Sequence, residues 1–161
     1  MAVADRLAEL GLTLPVAAAP VGAYVPAVRA GSLVLTSGQL PFAGGTLPAT
    51  GLVGAGVEAA DAQDYAATAA LNAVAAVAGL LAAETGEEPA AALEHVVRVV
   101  KVVAFVASDP AFTGQPGVAN GASNLLKELF GDAGVHARSA VGVAVLPLGS
   151  PVEVELVVET R

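Results

Sequence analysis

Hydrophobic positions in this chain follow two periods, and the places where the period changes divide it into elements. Residues 4–11 suit a short helix ending at Gly11, after which Pro15, Pro20 and Gly22 interrupt the chain. Tyr24–Arg29 and Leu33–Ser37 are short β-type runs joined through Ala30-Gly31-Ser32, which predicts a hairpin. The stretch from Gly38 to Gly56 is rich in glycine, with Pro41 and Pro48, and predicts a loop with at most a short edge strand. A long helix is predicted from Glu58 to Glu84: Leu71, Val74, Val77 and Leu81 mark one face, acidic residues at 58, 61 and 64 suit its N-terminus, and Gly86 suits its end. His95–Ala107 is nearly continuous in β-branched and aromatic residues and predicts a central strand buried on both faces. A second helix is expected from about Pro116 to Gly131. Arg138–Leu146 and Val152–Glu159 alternate with period two, and the intervening Pro147-Leu-Gly-Ser-Pro151 predicts a closing hairpin. The order ββ-α-β-α-ββ defines an α+β sandwich, with two helices on one face of a mixed or antiparallel sheet.

Composition narrows this picture. The 161 residues are 55% hydrophobic and 14% charged, which suits one well-packed domain and excludes disorder. The net charge of −8 opposes binding to phosphate backbones and to anionic membranes, so neither nucleic acid nor a membrane is an expected partner. Cysteine is absent, excluding thiolate metal sites and cysteine nucleophiles. The first residues show no basic segment before an apolar run, so a cytoplasmic location is expected. Tyr65–Ala83 carries no charge, but it is mostly alanine and is flanked by acidic rather than basic residues; a core helix packed on a sheet is expected.

The candidate chemistry is sparse. Gly51-Leu-Val-Gly54-Ala-Gly56 lacks the spacing and the lysine of a phosphate loop. His95 and His136 are the only histidines and form no metal-ligand pattern, so neither a metal nor a cofactor is expected. On the last two strands, alternation places Arg138, Ala140, Gly142 and Ala144 on one face. An arginine followed by small residues suggests a hollow where a guanidinium grips a carboxylate; a strand-end arginine reaching for water is the other reading. Glu153, Glu155 and Glu159 share a face of the last strand, either as a solvated acidic surface or with one of them as a general base. If the two strands pair as a hairpin, Arg138 lies near Glu159 and Glu153 near Ala144. Arg138 and Glu153 are then too distant to share a small ligand within one chain, and only a subunit interface brings them together.

Several segments together resemble the Rid family (reactive intermediate deaminases), also called the YjgF or L-PSP endoribonuclease family. They are Pro20-Val-Gly-Ala-Tyr24, Leu35-Thr-Ser37-Gly-Gln-Leu-Pro41, Asn72 in the long helix, Arg98-Val-Val-Lys101-Val-Val-Ala-Phe105-Val106, and His136-Ala-Arg138-Ser-Ala-Val-Gly-Val-Ala-Val-Leu146-Pro147 continuing to Val152-Glu-Val-Glu155. The resemblance runs over about residues 12–160 and implies a single domain over 1–161, with roughly residues 1–14 as an N-terminal extension.

The resemblance implies a chorismate-mutase-like fold and a homotrimer whose sheets form a central barrel, with clefts between subunits. It implies cofactor-independent hydrolysis of enamines and imines, such as 2-aminoacrylate and 2-iminopropanoate, to a 2-oxo acid and ammonia. Arg138 matches the family's carboxylate clamp, Glu153 the glutamate that orients water, Tyr24 the aromatic of the first strand and Ser37 the serine of Ser-Gly-Gln. Archetypal members often carry cysteine where this chain has Ala140, leaving a backbone carbonyl to meet the imine nitrogen. The polar helix position falls on Asn120 or on Ser123. A non-catalytic carboxylate-binding protein of the same fold is the alternative. An endoribonuclease is disfavoured by the charge and by the absence of a His–His or His–Lys acid/base pair.

Overall fold

The structure, a computed structural model, describes residues 2–17 and 22–161; Pro20 and Val21 of the first motif lie outside the described residues. The elements in chain order are α1 (Val3–Glu9), β1 (Ala27–Ala30), β2 (Leu33–Thr36), β3 (Leu52–Val53), β4 (Gly56–Val57), α2 (Ala59–Thr85), α3 (Pro89–Ala92), β5 (Val96–Ala107), α4 (Gln115–Phe130), β6 (Ala137–Val143) and β7 (Val152–Thr160). Five strands form a mixed sheet in the order β1-β2-β7-β5-β6, and β3 pairs with β4 in a separate two-residue ladder. The first hairpin forms, with Gly31 in the left-handed region of its turn, but its first strand begins only at Ala27, so Tyr24, expected within the strand, lies before it.

The closing hairpin does not form. β5 lies between β6 and β7, parallel to the former and antiparallel to the latter. A parallel neighbour needs a crossover rather than a tight turn, and α4 with the 3-10 turn at Gly131–Gly134 supplies it. Residues 144–151 carry the chain past the end of β5 to reach β7. Arg138 consequently lies opposite Val102, not beside Glu159, and Glu153 lies opposite Phe105, not beside Ala144.

α2 and α4 cover one face of this sheet. Val99, Val102, Ala104 and Val106 of β5 point into that interior, with Val152, Val154, Leu156 and Val158 of β7. The other face of β5, with Val100, Lys101, Val103 and Phe105, is only partly covered within one chain. This corrects the expectation of a strand buried on both faces within one chain: among the described residues no helix lies on that side, and Lys101 interrupts its apolar row, donating to Ser139 Oγ at 2.9 Å.

Alanine lets α2 approach its neighbours closely. Ala62, Ala66, Ala69, Ala70 and Ala73 are fully buried, so the long uncharged segment is a core helix. The helix ends as predicted at Gly86, where φ is +77° and the amide donates to Ala82 O at 2.9 Å.

The crossing of α2 and α4 has no room for a methyl group. A Cβ at Gly121 would sit 1.8 Å from the carbonyl oxygen of Gln63, whereas a Cβ at Gly117, one turn earlier, meets open space. Gly121→Ala should therefore destabilise by about 3 kcal/mol or more through forced separation of two backbones. Gly117→Ala should be stabilising by about 0.5–1 kcal/mol through helix propensity. Urea unfolding of the two variants beside the parent checks both signs.

Candidate functional site

The candidate residues gather in two groups on opposite faces of the sheet. The first is built on β7 and the segment that follows β2. Gln39 continues the sheet by exchanging two backbone hydrogen bonds with Val154, its amide donating at 2.9 Å and its carbonyl accepting at 3.0 Å. That pairing lays Gly38 directly over Glu153, and a Cβ at Gly38 would fall 1.7 Å from Glu153 Oε1. Asn72, reaching out of α2, donates to Leu40 O at 2.8 Å and to Phe42 O at 3.0 Å, so the long helix fixes the path of this loop. Ser37 turns its hydroxyl inward and donates to Val25 O at 2.6 Å.

Together these segments shape a cavity of about 590 Å³ lined by Tyr24, Ser37, Gly38, Phe42, Leu148 and Glu153 among others. Its wall is largely apolar, and Glu153 is its carboxyl group. Burial raises the pKa of the Glu153 carboxyl, and the nearby negative charge of Glu155 raises it further. A base held above the ordinary glutamate value is better suited to take a proton from water near neutral pH. Leu148 is the one non-glycine residue at positive φ (+60°) among the described residues, and its side chain is 70% exposed at the rim.

The second group is built on β6 and α4. Arg138 lies opposite the buried Val102, so its side chain rises on the helical face of the sheet. Its Nη1 donates to Asn120 Oδ1 at 2.9 Å and to Ser123 Oγ at 3.1 Å, and its Nη2 donates to Pro116 O at 3.3 Å. Asn120 and Ser123 are three apart on α4 and so share one helical face, and both accept from Arg138. A recess of about 290 Å³ beside Arg138 is lined also by Ser123, Lys127 and His136.

The hollow expected along this face of β6 is largely filled. Ala140 is partly buried against the core, and Gln115 lies over Gly142, donating to Phe112 O at 2.7 Å and Ser108 Oγ at 3.2 Å. Small residues here admit α4, and the space for a ligand lies at the Arg138 end of the strand.

Arg138 and Glu153 are three residues apart along the register and two strands apart across it, about 10 Å in each direction at ~3.3 Å per residue and ~4.8 Å per strand. They also point to opposite faces, since Arg138 shares the side of Val102 and Glu153 the side of Phe105. Tyr24, Ser37 and Glu153 are brought together; Arg138, Asn120 and Ser123 are brought together; the two sets do not meet within one chain. His136, Leu148 and Phe42 were not marked as site residues by sequence reasoning. His136 offered a signal in standing two residues before Arg138 on the same alternation, whereas nothing in the local pattern of Phe42 or Leu148 distinguished them from core residues.

A mixed sheet with two helices on one face is the arrangement of the chorismate-mutase-like α+β class. The family model described as "YjgF/chorismate mutase-like, putative endoribonuclease" matches residues 4–160. The chain belongs to this family, the Rid or YjgF family. Protein TCP17 of Trypanosoma cruzi is 45% identical over 160 residues, covering 98% of this chain and 93% of that protein. The crystal structure of Atu1372 from Agrobacterium tumefaciens, a protein of unknown function, is 44% identical with a TM-score of 0.85, covering 99% of this chain and 93% of that one. A "putative endoribonuclease" from Shewanella oneidensis is 32% identical with a TM-score of 0.88, covering 99% of each chain. Escherichia coli TdcF with bound serine is 26% identical with a TM-score of 0.59, covering 88% of this chain and 91% of that one.

The state of Glu153 is testable through stability. Its raised pKa means that the fold disfavours the charged form, so a cost appears as pH rises from the ordinary glutamate value through the raised one. Glu153→Gln removes that cost. At pH 7 the variant should melt above the parent, by no more than about 1 kcal/mol because the half-exposed carboxylate is still screened by solvent. The gap should close at pH 4. Melting curves of both proteins at the two pH values measure it. In carboxyl NMR titrations, Glu155→Gln should lower the Glu153 midpoint.

Proposed function

We propose that this protein hydrolyses the imine or enamine forms of amino-acid-derived intermediates, of the 2-aminoacrylate/2-iminopropanoate kind, to a 2-oxo acid and ammonia. The observation that carries the reading is the state of Arg138. Both Nη1 donors and one Nη2 donor are committed to α4, which leaves Nε–H and the second Nη2–H without a partner among the described residues. A guanidinium braced on one side with two donors remaining is prepared for a carboxylate. Arg29 uses the same pair of atoms on Glu84, Nε to Oε1 at 2.9 Å and Nη2 to Oε2 at 2.5 Å. Serine, the ligand of the relative TdcF, carries such a carboxylate.

The catalytic half of the site belongs to Glu153 in this reading. With the substrate carboxylate on Arg138, the C2=N bond extends toward the Glu153 of a second copy in a homotrimer. Glu153 takes a proton from water as the oxygen attacks C2 and delivers it to the imine nitrogen, which leaves a neutral carbinolamine and a free carboxylate. The carboxylate then passes the carbinolamine hydroxyl proton to the amino group, and as the C–N bond breaks the 2-oxo acid forms and ammonia departs. Ala140 offers only its backbone here, so catalysis depends on orientation and on the base rather than on a side chain at that position. The acidic row of Glu153, Glu155 and Glu159 is ill suited to polyanionic RNA, which weighs against ribonuclease action.

Arg138→Ala should abolish binding of 2-oxobutanoate, and Arg138→Lys should restore little of it, because a point charge cannot reproduce the fork. Titration calorimetry of the three proteins reads this directly; unchanged affinity in Arg138→Ala would remove the clamp. Glu153→Gln should lower turnover of 2-imino acids by about 10²-fold or more with little loss of binding, and Glu155→Gln should leave turnover nearly intact. Ammonia release from enzymatically generated imino acids measures both. If wild-type protein gives no rate above the spontaneous one, the fold serves carboxylate binding without catalysis.

A further inference from the structure

We propose that His136 is a positioning residue, holding the Ser123 hydroxyl as the acceptor that braces Arg138 in its carboxylate-receiving orientation. The inference rests on the reading of Arg138 as a clamp and adds to it a residue outside that clamp. Its basis is a chain of hydrogen bonds whose two end members each have only one available role. The carbonyl of Gly134 can only accept, so the His136 Nδ1 atom, 2.6 Å away, carries a proton. Arg138 Nη1 can only donate, so Ser123 Oγ accepts from it at 3.1 Å. The remaining contact joins Ser123 Oγ to His136 Nε2 at 2.9 Å. With its proton on Nδ1, a neutral imidazole presents Nε2 as an acceptor, and the single Ser123 hydrogen points there. The direction is then uniform: Arg138 to Ser123, Ser123 to His136, His136 to Gly134.

The surroundings favour the neutral ring this chain requires. Burial lowers the His136 pKa and the Arg138 cation lowers it further, against an upward pull from the Gly134 carbonyl. Lys127 of α4 lines the same recess, and Arg98 of β5 reaches the neighbouring Val135 carbonyl, its Nη2 donating at 3.5 Å. On the remaining packed segments the charged groups are Lys101 on β5 and Asp132 in the 3-10 turn. A proton on Nε2 would reverse the contact, making the ring a donor to Ser123 and leaving the serine hydrogen without its acceptor. Gly134 is itself fixed: a Cβ there would fall 2.2 Å from Leu126 O, so the anchor of the relay is packed against α4.

The test is a double-mutant cycle read by calorimetry with 2-oxobutanoate. His136→Leu should weaken binding about tenfold, the cost of freeing one hydrogen bond to a charged group. His136→Gln, whose amide oxygen can accept from Ser123, should restore most of the affinity. In a Ser123→Ala background, His136→Leu should have no further effect, because the influence of the ring passes through that hydroxyl. An unchanged affinity in His136→Leu, or an undiminished loss in the Ser123→Ala background, overturns the relay while leaving the clamp standing. Absence of Arg138-dependent binding in wild type overturns the clamp instead. In that case the imidazole nitrogen spectrum of His136 decides the relay: a neutral ring protonated at Nδ1 at pH 7 supports it, and a ring protonated at Nε2 refutes it.

Discussion

The parallel pairing of β5 with β6 is the constraint on which the rest of the molecule depends. A parallel neighbour cannot be reached by a tight turn, so the chain climbs over the sheet as α4 before returning as β6. That excursion sets Asn120 and Ser123 above the edge strand, where they meet Arg138. It also sends β7 to the far side of β5, where Glu153 faces away from the helices. One topological choice thus divides the polar groups between the two faces of the sheet. It brings Tyr24, Ser37 and Glu153 to one cavity and Arg138 to another recess.

Much of this was legible in the residues. The alternation of β7 separated Val152, Val154, Leu156 and Val158 from its glutamates correctly, because one face of the strand is buried and the pattern records burial. The alanine run of α2 ended at Gly86 because a left-handed cap needs glycine there. The pairing partner of β6 was not legible. Pro147-Leu-Gly-Ser-Pro151 has the composition of a hairpin turn, and local chemistry cannot reveal that a strand forty residues earlier in the chain takes the intervening place. The state of β5 was misread for a related reason. Its valines report affinity for apolar surroundings but not whether those are supplied by a helix of the same chain. The brace of Arg138 lay hidden because Asn120, Ser123 and His136 are assembled by a crossover, not by a motif.

The two halves have different physical characters. Arg138 is held rigidly by uncharged acceptors on α4, which keep the guanidinium in place without neutralising it, so its charge stays available for an incoming anion. Glu153 lies in a mostly apolar cavity beneath Gly38, where the fold resists its ionisation. A fixed cation awaiting a carboxylate and a desolvated base beside an apolar wall are complementary demands of imine hydrolysis. In one chain they face apart. In the proposed function their union takes a second copy, whose Arg138 would meet the cavity formed by β7 and the Ser37–Phe42 segment.

A mixing experiment tests that union most directly. Arg138→Ala and Glu153→Gln each remove one half of every site in a pure preparation, and both proteins should be nearly inactive alone. Unfolded together and refolded at equal ratio into trimers, they should regain about one quarter of wild-type imine hydrolysis, because one interface in four pairs an intact Arg138 with an intact Glu153. Ammonia release that stays at the level of the separate variants, in mixtures verified to contain mixed trimers, would contradict a site shared between chains.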